Sequence, residues 1–172
     1  MSSRGYLPRL VERLLKIERR TRLIYARLAE RSEFPAELRE VWRVLAQDEN
    51  SRRIVLERSS GLLNFMPSLP LISESTLTRV EEQVTAAEAA IQQPRLSVDD
   101  ALEHTLRLED SEFTDIVDAW ERAFSPSLSV LTHNKEPDEE THVRRLIAAV
   151  HTFGTNKELR SRATAMWSRY DR

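Results

Sequence analysis

Four glutamates and one histidine are the residues of this chain whose types and spacing could do chemistry. Glu18 precedes Glu49 by 31 residues, Glu109 precedes Glu139 by 30, and His142 follows Glu139 at i+3. Helical spacing puts i and i+3 on one face, so Glu139 and His142 could grip one ion. Carboxylate oxygens with imidazole nitrogen suit hard or borderline first-row ions, iron or manganese above all. The i+3 position after Glu49 is Arg52, a guanidinium that stays charged inside proteins. Buried carboxylates without a counter-charge take up protons. Arg52 is therefore expected to act as a substitute cation, leaving a single ion to Glu109, Glu139 and His142, with Glu49 reaching across.

These residues matter only if helices turn them inward. Leu7, Val11, Leu14, Thr21, Tyr25 and Leu28 form a seam with Glu18 at its centre. Val98, Leu102, Leu106, Phe113, Ile116, Trp120 and Phe124 form a second, with Glu109 where an apolar residue is due. A carboxylate in such a place is costly unless something positive or hydrogen-bonding meets it. Helix 2 carries Leu38, Val41, Leu45, Val55 and Leu56 on one face, with Asp48 or Glu49 and then Arg52 between them. Glu18 lies 14 residues before Ser32 and Glu49 lies 14 after Pro35, so a short hairpin sets the two at one height.

The pattern predicts helices over about 7–31, 35–58, 74–92, 98–124, 137–153 and 157–169, and no strands. Pro35 suits a helix start, and Ser97-Val-Asp-Asp100 reads as an N-cap. Residues 60–73 read as a long crossover packed on the bundle. Pro137 marks a kink or boundary, which leaves residues 126–136 open. The expectation is one all-α domain over residues 1–172.

Composition removes other chemistries. There is no cysteine, hence no disulfide, thiol catalysis, iron–sulfur cluster or Cys-ligated zinc. Three glycines and the absence of G-x-x-x-x-G-K-[ST] and G-x-G-x-x-G leave no phosphate loop. A net charge of −2 gives nucleic acid no basic excess to exploit. No apolar run resembles a signal peptide or membrane span, so a cytoplasmic location is expected, without membrane or nucleic-acid partners.

One Glu from each of two helices, with Glu-x-x-His from the other two, is the di-iron carboxylate plan. On Glu18, Glu49, Glu109, Glu139-x-x-His142 and Tyr25, seven residues after Glu18, the chain resembles the ferritin-like superfamily, specifically its rubrerythrin-type members. The resemblance spans about Leu7 to Phe153, long crossover included. It implies an antiparallel four-helix bundle with extra short helices and Glu18, Glu49, Glu109, Glu139 and His142 as metal ligands. It also implies Tyr25 beside a ligand carboxylate, and a homodimer. The activity implied is a di-iron-type oxidoreductase, oxidising iron(II) or reducing peroxide with an external electron donor. The chain departs from the family in reading Glu49-Asn-Ser-Arg52 in helix 2 and in lacking a four-cysteine rubredoxin module. The alternative is a metal-depleted bundle serving as a binding or scaffold protein, with Arg52 clamping the carboxylates. Plainer roles exist for single residues: Glu18 pairing with Arg22 at i+4, and acids after Pro137 facing a helix dipole. His104, His133 and His151 read as structural or exposed, and Trp42, Trp120 and Trp167 as packing.

Overall fold

Helix formation follows the apolar period along the chain. The computed structural model describes residues 6–60, 73–110 and 139–170, all helix apart from short turns. The helices are α1 (Tyr6–Glu30), α2 (Ala36–Ser60), α3 (Glu74–Ile91), α4 (Val98–Glu109), α5 (Glu139–Phe153) and α6 (Lys157–Tyr170). The crossover after Ser60, the stretch with Phe113, Trp120 and His133, and residues 126–136 lie outside the described residues. So do the side chains of Leu7, Val55 and Glu139.

The α1–α2 hairpin is closed by a tight turn in which the Phe34 N–H donates to the Arg31 carbonyl at 3.2 Å. Its inner faces are the expected seams: Val11, Leu14, Tyr25 and Leu28 from α1 and Leu38, Leu45 and Leu56 from α2 are buried. Trp42 is buried too, and its indole N–H donates to Thr105 Oγ1 of α4 at 3.0 Å.

Helix α3 buries Leu77, Val80, Val84, Ala87 and Ile91. It lies along α1 in a register that charge makes visible. Arg13 donates to Glu81 through two nitrogens, each at 2.9 Å, and also pairs with Glu74. Arg20 donates to Glu88 at 3.0 and 2.7 Å. Both partners climb by seven residues from one rung to the next, so the two helices run parallel. At the top, the Arg31 guanidinium donates to the carbonyls of Ile91 and Gln93 at 2.9 and 3.1 Å. The Ile91 carbonyl is among those that a helix C-terminus leaves unpaired.

Ser97 caps α4 as its sequence suggests, Oγ accepting from the Asp100 N–H at 3.0 Å. Asp99 then reaches across to the α5–α6 turn, taking the Thr155 N–H at 2.7 Å. With Glu109 of α4 beside His142 of α5, the two helices are antiparallel. Trp42–Thr105 and Arg52–Glu109 climb together, so α2 and α4 are parallel. At the end of α5 the Gly154 N–H donates to Val150 O at 2.9 Å, and a Cβ on Gly154 would stand 2.7 Å from that oxygen. The result is an all-α bundle. Among the described residues, no helix is long and apolar enough to cross a membrane.

Candidate metal centre

Four helices each turn one or two polar side chains into the apolar interior. Glu18 comes from α1, Glu49 and Arg52 from α2, Glu109 from α4 and His142 from α5; none is more than 4% exposed. The hairpin brings Glu18 near enough to Glu49 for its charge to push the Glu49 carboxyl up.

The Tyr25 hydroxyl donates to Glu109 Oε1 at 2.5 Å. The other Glu109 oxygen, Oε2, stands 3.2 Å from His142 Nε2 and 4.0 Å from Arg52 Nη1. Arg52 Nη1 donates to Glu49 Oε1 at 2.9 Å, and that same oxygen lies 3.8 Å from His142 Nε2. Guanidinium and imidazole thus address the same two carboxylate oxygens.

His142 is aimed from behind. Its Nδ1–H donates to Asp48 Oδ2 at 3.0 Å, and Asp48 also accepts from Arg145 Nη1 at 3.4 Å. A histidine whose outer N–H is tied to a carboxylate presents its other nitrogen in one orientation, as metal-ligating histidines do.

The protonation states follow from burial and these charges. Burial pushes the Glu49 carboxyl well above its usual range, and the neighbouring Glu18 adds to it, while Arg52 pulls the other way. Burial would also raise Glu109, but His142, Arg52 and the Tyr25 hydroxyl outweigh it and hold it at about 2. Burial would lower His142, yet Glu109 and Asp48 push it up to about 10. The Tyr25 phenol is held protonated by its burial and by the Glu109 and Glu49 charges. Without metal the centre holds Arg52, a protonated imidazole and carboxyls, and His142 Nε2 is buried without a hydrogen-bond partner.

Glu49, Glu109 and His142 also offer one ligand atom each within 4.8 Å of one another. Donors about 2.1 Å from a common ion stand roughly 3.0–3.4 Å apart in octahedral or tetrahedral arrangement. The observed 3.2 and 3.8 Å from His142 Nε2 need only a small inward movement of Glu49. Among the described residues, these three ligand atoms could hold one ion.

Of the residues singled out from sequence, Glu18, Glu49, Glu109, His142, Arg52 and Tyr25 are brought together. Glu139 begins α5, and its side chain lies outside the described residues. Glu18 is buried, so it does not pair on a wet face. Asp48 and Glu49 read as alternatives for the inward position, and both are used: Glu49 points in, while Asp48 sits one-fifth exposed at the flank and holds His142. That role was missed, though a residue 100° around the helix from an inward Glu faces the next helix. A separate cleft of about 540 Å³ opens on the outer side of the hairpin, between Arg22 and Ala26 of α1 and Ala46 and Asn50 of α2, away from these ligand atoms. Comparison of the chain with protein-family models, curated proteins and solved structures finds no match.

Proposed function

We propose that this protein is a metal-binding helical bundle of ferritin-like, rubrerythrin type, holding one iron or manganese ion on Glu49, Glu109 and His142. The observation that carries the reading is the convergence of those three buried ligand atoms, with His142 fixed from behind by Asp48. The directions of the helices agree with a bundle that has one long crossover. A bound iron would supply electron exchange with oxygen or peroxide, drawing on an external donor. The chain's own residues do the rest: Tyr25 keeps Glu109 Oε1 occupied, so Oε2 is the oxygen left to face the ion. Arg52 supplies fixed positive charge, and the surrounding apolar seam excludes water.

The test is elemental analysis of protein purified without chelator, as wild type and as His142→Ala. About one iron or manganese per chain, lost in the variant, supports the reading. No metal, even after anaerobic addition of iron(II), refutes it. The latter result favours a second reading, a metal-free scaffold. One observation speaks for that alternative: the hydrogen bonds Tyr25–Glu109, Arg52–Glu49 and His142–Asp48 are made without an ion.

A further inference from the structure

We propose that the cleft on the outer side of the α1–α2 hairpin is a second binding site, taking a small organic monocarboxylate with its head group on Arg22 and its apolar part on Ala26, Ala29 and Ala46. The inference makes no use of the metal centre and stands whether or not the bundle holds an ion.

The cleft has the dimensions of a ligand site. Its volume is about 540 Å³. Small-molecule pockets span roughly 300–1,000 Å³, whereas one water takes about 30 Å³ of liquid. Ala26, Ala29 and Ala46 line it, and side chains that short leave the space between two helices open while giving it an apolar surface. The rest of the lining is polar. Because α1 and α2 are antiparallel, Arg22 stands across from Asn50 and Ser51 at one end, and Glu30 across from Arg43 at the end nearer the turn.

Charge selects the ligand. Arg22 is half-buried and, among the described residues, makes no ion pair or hydrogen bond. Three other half-buried arginines of the hairpin, Arg13, Arg20 and Arg31, each hold a carboxylate. Arg43 is engaged by Glu40 of its own helix. An unpaired guanidinium in a concave wall of low dielectric attracts an anion. Its planar fork matches the two oxygens of a carboxylate. The Asn50 side-chain oxygen accepts from Arg53 Nη2 at 3.3 Å, so its NH2 group remains as a donor. Glu30 sets the limit. A phosphate dianion would meet one guanidinium and, in the same cleft, a carboxylate of like charge. A single negative charge is the match.

The experiment is isothermal titration calorimetry of the full chain with acetate, benzoate and octanoate, and with inorganic phosphate at equal ionic strength. Benzoate or octanoate is expected to bind saturably at one site per chain, with acetate and phosphate weaker. Arg22→Gln is expected to weaken that binding about 10–100-fold. Ala26→Leu, which fills the cleft, is expected to abolish it, with circular dichroism showing that the helices are kept. If Ala26→Leu does not fold, Arg22→Gln decides alone, since its position has no partner to lose. No saturable binding of benzoate or octanoate by wild type overturns the inference. So does phosphate binding more tightly than either, and so does binding that Arg22→Gln leaves unchanged. None of these outcomes alters the metal-binding reading, which elemental analysis tests separately.

Discussion

Replacing Tyr25 with phenylalanine removes one oxygen from the interior and leaves the ring that packs there. Tyr25 is fully buried and Glu109 is 3% exposed, so the 2.5 Å bond between them is made away from solvent. A hydrogen bond to a charged acceptor contributes about 1.5–3 kcal/mol. Glu109 keeps His142 Nε2 at 3.2 Å and Arg52 Nη1 at 4.0 Å, so it is not left alone, and the cost falls in mid-range, about 2 kcal/mol. For a chain of this size that is a drop of roughly 4–8 °C in Tm. Urea unfolding of metal-free protein, followed by far-UV circular dichroism, measures it directly. Affinity for manganese(II) should change less than stability does, because Oε2, not the oxygen bound to Tyr25, faces His142. A variant within about 0.5 kcal/mol of wild type would mean that the bond contributes no net energy. The assignment of Tyr25 as the group that orients Glu109 would then fail.

Two further outcomes follow from the same centre. Stability of the metal-free protein should peak on the acid side of neutrality. Glu109, held at about 2, stabilises above its usual 4.5 and loses that contribution as pH falls towards 2. His142, raised to about 10, stabilises below 6.5 and loses its contribution as pH rises through about 10. Glu49, raised from 4.5, opposes folding increasingly as pH climbs above that value. Urea unfolding should therefore show greater stability at about pH 5.5 than at about pH 8.5, by on the order of 2 kcal/mol. Glu49→Gln should narrow the difference, and a rise in wild-type stability up to about pH 8.5 would contradict these assignments. Separately, Asp48→Asn should weaken manganese(II) binding about 10–100-fold with helix content unchanged, as loss of a carboxylate behind a ligating histidine does. Unaltered affinity would show that Asp48 does not orient His142.

The helices were legible because each seam is long and its apolar period regular. α3 is buried at Leu77, Val80, Val84, Ala87 and Ile91, the residues its period picks out. Glu18 and Glu109 could be read as inward because each interrupts such a seam. The Asp48/Glu49 choice was not legible, since adjacent residues on a helix face different neighbours, and only the placement of α5 gives Asp48 a partner. The pairing of α3 with α1 was hidden for a similar reason. Arg13, Arg20, Glu74, Glu81 and Glu88 stand seven apart in the sequence, but nothing local says that these two helices meet.

That seven-residue ladder has a consequence for register. Sliding α3 by two turns along α1 would keep Arg13 with Glu74, bring Arg20 to Glu81 and set Arg27 against Glu88. Leu77, Val84 and Ile91 also repeat every seven residues, as do Val80 and Ala87, so the apolar stripe would look nearly the same after the slip. Ion pairs and burial along the two helices are thus almost blind to the displacement. The Arg31 guanidinium is not, because it finds the carbonyls of Ile91 and Gln93 at one setting alone. A single arginine at the end of the first helix works as the end-stop that tells two near-identical alignments apart.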